Sequence, residues 1–193
     1  MFMKKKLIAC CTLLFCIVTC QLNAQADQAA MKAWQDYMTP GDTHKMLGKA
    51  DGDWTFETTL WMTPGAAPEK STGTATNKMI LGGRYQESKY TGSMMGMPFE
   101  GYNLMGYDNA RKVFQASWVD NMGTGVMQME GKLDPATKTI NFTGKMTDPS
   151  TGKEVKVRET FVWVDDNTQK MEMFDTRDGK EFKTMEIIFK RKS

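Results

Sequence analysis

"EVKVRETFVWVDDNTQKMEMFD", residues Glu154–Asp175, decides the fold. Val155, Val157, Phe161 and Trp163 share one parity, the cluster Asp165-Asp166-Asn167 interrupts the run, and β texture resumes at Gln169–Asp175. Period-two alternation rich in Val, Phe and Trp is the pattern of a half-buried strand. Short Asp and Asn side chains that hydrogen-bond the neighbouring backbone make the turn. One residue departs from the pattern: Glu159 has the parity of the apolar set. A carboxyl group on an apolar face must be paired, hydrogen-bonded or protonated, because desolvating a lone charge is costly. Glu159 is therefore the leading candidate for an interior polar group, facing a ligand or held in a structural ion pair with a residue such as Arg84.

The same texture extends outward from this hairpin. Strands are expected at Asp53–Met62, Thr72–Leu81, Arg84–Thr91, Pro98–Tyr107, Lys112–Asp120, Thr124–Leu133, Thr139–Met146, Glu154–Val164, Gln169–Asp175 and Glu181–Lys190. Turn chemistry separates them at Asp108-Asn109, Asp134-Pro135, Asp148-Pro149 and Asp178-Gly179. Successive strands with short links favour an antiparallel meander, and closure removes exposed edges. The expected fold is all-β, an antiparallel up-and-down β-barrel of about ten strands; an open sandwich is the alternative. Side chains readily fill a barrel of about eight strands, so ten predict a cavity.

Alternation also assigns faces. Trp54, Phe56 and Leu60 share one, as do Ile140 and Phe142, and Met185, Ile187 and Phe189 with Arg191. Asp120 shares a face with Phe114, Ala116 and Trp118, although at a strand end it also fits an ordinary turn. The stretch Tyr90–Asp108 holds four methionines, four glycines and four aromatics with only Glu100 and Asp108 charged. Its glycines permit bends and close approach. Met94, Met95 and Met97 form a pliant loop at the barrel mouth or a hairpin closing its corner, and Phe99, Tyr102 and Tyr107 supply wall. The chain has 18 methionines. Flexible, polarizable thioethers fill irregular gaps and accommodate varied ligands.

The N-terminus reads as a leader. Lys4–Lys6 precede an uncharged, mostly apolar run from Leu7 to Cys20, and Ala24-Gln25-Ala26 offers a small-x-small cleavage site. The expected division is a signal peptide at 1–26, a helical lead-in at 27–52 and a barrel domain at 53–193. Export to the periplasm or outside the cell follows. Lipid anchoring at Cys20 fits less well, because Thr19 is a poor lipobox residue. All four cysteines, Cys10, Cys11, Cys16 and Cys20, lie in the leader, so the mature chain has no disulfide and relies on a packed core. Removing the leader takes three lysines from 25 basic residues against 23 acidic ones, leaving a near-neutral domain with no electrostatic case for nucleic acid. No transmembrane span is expected in the mature chain. The lead-in carries a helix at Asp27–Met38, with Ala30, Trp34 and Tyr37-Met38 on one face, and a helical turn at Thr43–Leu47 capped by Asp42 or Thr43.

Catalytic chemistry is sparse. His44 is the only histidine, which excludes a zinc site built on several His or Cys ligands and Cys-His catalysis. No nucleophile elbow or phosphate loop occurs. The Met94–Met97 thioethers suit Cu(I) chemically, but no cysteine supports such a site, and no metal or cofactor is expected. Carboxylate-pair chemistry through Glu159, Asp120, Glu130 or Glu172 stays open.

Gly52-Asp53-Trp54 at the start of the first strand and Arg191 near the end of the last resemble the calycin superfamily of lipocalins and fatty-acid-binding-like barrels. There a Gly-x-Trp tryptophan and a late arginine pack across the closed end, so Trp54 and Arg191 take structural roles by resemblance. A second likeness covers nearly the whole mature chain. "LGGRYQESKYTGSMMGMPFEGYNLMGYDNARK" (81–112), "SWVDNMGTGVMQMEGKLD" (117–134), "TGKEVKVRE" (151–159) and "GKEFKTMEIIFKRK" (179–192) resemble the bacterial secreted domain-of-unknown-function family numbered fifteen seventy-nine. That resemblance implies a calycin-like barrel and no activity. Haem-binding barrels of the nitrobindin type are similar in architecture but hold iron on a histidine, and His44 precedes the first strand.

The expectation is a non-enzymatic binder of a small apolar or amphipathic molecule. Its candidate ligand-binding residues are Arg84, Tyr90, Phe99, Tyr107, Trp118, Asp120, Glu159 and Met173, with Arg84 and Glu159 fixing a polar end. Two alternatives are a cell-envelope interaction module exposing Trp61, Trp163 or the methionine loop, and a carboxylate-dependent hydrolase or isomerase.

Overall fold

The computed structural model describes residue 25, residues 27–177 and residues 179–193. Apart from residue 25, the leader, its cleavage site and Cys20 lie outside the described residues, as does Asp178 of the last predicted turn. The chain divides into two compact units, one up to Thr39 and one at Pro40–Ser193. In the first unit, helix α1 spans residues 27–38 and its side chains are exposed. Trp34 and Tyr37 meet edge to face at 6.0 Å between ring centroids. No described helix is long and apolar enough to cross a membrane.

The second unit is a closed barrel of ten strands: β1 Gly52–Leu60, β2 Glu69–Ile80, β3 Tyr85–Met94, β4 Met97–Asp108, β5 Val113–Asp120, β6 Met127–Asp134, β7 Thr139–Asp148, β8 Lys153–Asp165, β9 Thr168–Arg177 and β10 Lys180–Arg191. Every strand pairs antiparallel with its sequence neighbours, and β10 closes onto β1 with Trp54 opposite Arg191. All ten predicted strands exist, with ends shifted by up to three residues. Shifts of three residues fall at the start of β2, the end of β3 and the start of β6, where Thr124–Val126 lie outside the ladder after Gly123. The predicted aspartate turns form as expected: backbone N–H groups two residues on donate to Asp108, Asp134, Asp148 and Asp165 at 2.8–2.9 Å.

The short helix α2, Asp42–Gly48, covers one end of the barrel. Its N-cap is Gly41 instead of the expected Asp42 or Thr43. The His44 imidazole folds back and accepts the Gly41 N–H at Nδ1, 3.1 Å away, satisfying a donor the helix leaves open. Burial holds His44 below its ordinary basicity, and the nearby Arg84 charge adds to this, while a hydrogen bond to the Tyr107 backbone acts against it. Leu47 caps a cluster with Phe114, Ile140 and Phe142, all at most 1% exposed. A second cluster joins Ala50, Trp54, Phe56, Ala75 and Phe189. Side chains therefore fill the helix-covered end.

Arg191 locks that end. Its guanidinium lies over the Trp54 ring, 4.4 Å from the centroid, and donates to the carbonyls of Asp51, Lys49 and Asp166. Trp54, 1% exposed, donates its indole N–H to Ala50 O at 2.9 Å.

Candidate functional site

Past the filled end the barrel is hollow. A cavity of about 170 Å³ lies between the two halves of the sheet. Seven methionines line it, among them Met105, Met129, Met171 and Met173, together with six aromatics. Phe56, Tyr90, Phe99 and Trp118 form a connected group: Tyr90 meets Phe56 at 6.0 Å and Trp118 at 5.1 Å, and Phe99 stacks on Trp118 at 6.2 Å. Close approach by the backbone makes room for these rings. A Cβ on Gly101 would sit 2.6 Å from the Trp118 ring, and one on Gly73 would sit 2.3 Å from the Phe56 ring. At the far end Thr58, Ser71, Ser93 and Met94 border both the cavity and an outer groove lined by Leu60, Glu69, Lys70 and the Met95-Gly96 turn. Both residues of that turn have positive φ, 52° and 74°, as a two-residue hairpin of this hand requires. The methionine loop thus lies at the mouth, with Met94 turned inward and Met95 and Met97 exposed.

Two acids reach this apolar chamber. Asp120 is half-buried and its carboxylate is occupied: Trp118 Nε1 donates to it at 2.6 Å and the Met122 N–H at 2.9 Å. It serves the turn and borders the cavity at once. Glu159 is different. It is 8% exposed, sits between Phe142 of β7 and Met173 of β9 in register, and faces the cavity. Among the described residues no base is recorded in an ion pair with it. Desolvation pushes its carboxyl up to about 8. The Tyr90 hydroxyl is buried as well and is pushed up to about 12, mainly by desolvation and further by the Glu159 charge, against a hydrogen bond from Ser88. Among the described residues no lysine, arginine or histidine lines the cavity.

Of the eight predicted ligand-contacting residues, the fold brings Tyr90, Phe99, Trp118, Asp120, Glu159 and Met173 to one chamber. Arg84 and Tyr107 lie elsewhere. Arg84 is exposed in the β2–β3 turn and donates to Leu81 O at 3.1 Å. Tyr107 packs on Phe114 at 4.9 Å and on His44 at 5.9 Å, beneath α2. His44 also lies at the filled end, away from the chamber. Phe56, Phe161 and Phe189 line the cavity and were legible as inward-facing, but alternation gives a face and not a depth along the barrel. Ser71, Ser93 and Asn103 also border it, and no sequence signal marks them. Trp61 and Trp163 are only half-exposed; Lys183 Nζ lies 5.0 Å over the Trp61 ring and Phe161 packs on Trp163 at 5.0 Å.

A family model described as "Protein of unknown function (DUF1579)" matches residues 39–191. The chain belongs to the DUF1579 family. No curated protein matches it. The crystal structure of Rv2717c from M. tuberculosis is similar, with TM-score 0.56 and 12% identity over 80% of this chain and 100% of that one. At that identity the likeness speaks for the DUF1579 barrel fold alone. A redesigned β-barrel, b11L5F_LGL, gives TM-score 0.38 and 14% identity over 76% of this chain and 95% of its own, too low to carry weight.

Proposed function

We propose that this DUF1579 protein is a non-enzymatic carrier or sensor that binds a small, mostly apolar molecule inside the barrel. One observation supports the reading above all: the chamber of about 170 Å³ walled by thioethers and rings. An apolar cavity of about 150 Å³ suffices to take up benzene, so a ligand with an aromatic-sized body fits. Thioethers adjust to its shape at little cost. The polar end meets Glu159 and Tyr90. The proposal extends to export, supported by Lys4–Lys6, the apolar run and the Ala24-Gln25-Ala26 site.

The test is native mass spectrometry of freshly purified protein, paired with uptake of a neutral apolar probe by wild type and by Ala116→Leu. Ala116 borders the chamber, and a leucine there occupies part of it. A co-purified small molecule, or probe uptake by wild type that Ala116→Leu loses, is the expected result. Neither a bound molecule nor any difference in uptake between the two proteins would end the proposal.

A further inference from the structure

The chamber's polarity is one-sided. Among the described residues two carboxyl groups border it and no cationic side chain does. Asp120 already accepts from Trp118 and Met122. Glu159 is more than nine-tenths buried, faces the space and, among the described residues, makes no ion pair. A barrel built for fatty acids would need a cation for the ligand's carboxylate, since an anion buried in an apolar chamber without a counter-charge pays the full cost of desolvation. The opposite charge gains twice. An ammonium group donates to Glu159, and aromatic faces such as those of Tyr90, Trp118 and Phe56 attract cations.

We propose that the chamber selects a small hydrophobic amine, its ammonium group on Glu159 and its apolar body among the rings and thioethers, and that it rejects carboxylates. This rests on the binding function proposed above. The titratable groups that line the chamber with Glu159 are Tyr90 on β3 and Asp120 on β5; Phe142 and Met173 flank it, and Asp175 lies two positions further along β9. None supplies a positive charge. The empty site holds a neutral carboxyl at pH 7, because burial pushes Glu159 up to about 8. An incoming ammonium keeps its own proton, Glu159 becomes a carboxylate, and the Glu159 proton passes to solvent. The charge balances, and binding at pH 7 releases most of a proton per site.

The experiment is titration calorimetry of the full mature chain with 2-phenylethylamine, 2-phenylethanol and 3-phenylpropanoate, which share one aromatic body. Each is run at pH 7 in two buffers of different ionisation enthalpy, which counts protons. The amine is expected to bind at least tenfold more tightly than the alcohol and to release close to one proton; the alcohol releases none and the carboxylate does not bind. In Glu159→Gln the amine's advantage disappears while the alcohol still binds. Amine binding no tighter than the alcohol's, or without proton release, overturns the amine assignment and leaves the binding function standing. If none of the three binds, both fall. Should Glu159→Gln fail to fold, the wild-type proton count and probe ranking still decide.

Discussion

Replacing Glu159 by glutamine tests whether its carboxyl is stored neutral in the empty barrel. Unfolded, Glu159 ionises near 4.5; folded, burial delays this to about 8. Between those values the native state holds a proton that the unfolded chain has released. The sign follows from linkage: stability falls as pH rises wherever the native state binds more protons. Each pH unit is worth about 1.4 kcal/mol. Across the window the wild type therefore loses on the order of 5 kcal/mol, a large share of the roughly 5–15 kcal/mol that holds a domain together. Glutamine has the same shape and no such dependence. His44, held below its ordinary basicity by burial, acts the other way on the acid side, so the informative quantity is the difference between the two proteins. Urea unfolding followed by tryptophan fluorescence from pH 4.5 to 9 measures it. Glu159→Gln should be close to wild type at the acid end and several kcal/mol more stable at pH 9. Parallel curves, within about 1 kcal/mol throughout, would refute the reasoning and mean that Glu159 is charged and compensated in the native state.

Other outcomes follow from the same geometry. Arg191→Ala removes the guanidinium from the Trp54 face and from three carbonyls, and should cost about 2–4 kcal/mol in urea unfolding; Arg191→Lys, lacking the planar fork, should recover less than half. Gly101→Ala puts a methyl 2.6 Å from the Trp118 ring. The ring must move, so the variant should lose about 1–3 kcal/mol and show a shifted tryptophan emission with weaker uptake of an apolar probe. His44→Ala should cost about 1–2 kcal/mol, for the lost Gly41 hydrogen bond and the lost packing on Tyr107, while probe uptake stays at the wild-type level. Neutral His44 contributes stability above pH 6.5 that fades as the pH falls; His44→Ala should lack that acid-side loss, which calorimetric melting between pH 5 and 7 reads.

Alternation along single strands determined much of this protein without help from the rest of the chain. Each strand pairs only with its sequence neighbours, apart from the closing pair, so local pattern and local turns already specify the meander. The parity of Glu159 with Val157 and Phe161 identified a buried acid for the same reason: a side chain's face depends on its own strand alone. What tertiary structure decided is depth and neighbourhood. Register and barrel stagger place Tyr107 and Arg84 at the end that α2 plugs, while they bring Ser71, Asn103 and Met185 to the hollow. Whether Glu159 meets a base also depends on strands far away in sequence. Strand pattern sets direction one residue at a time; the height of a side chain inside a closed sheet is fixed only when all ten strands have found their register.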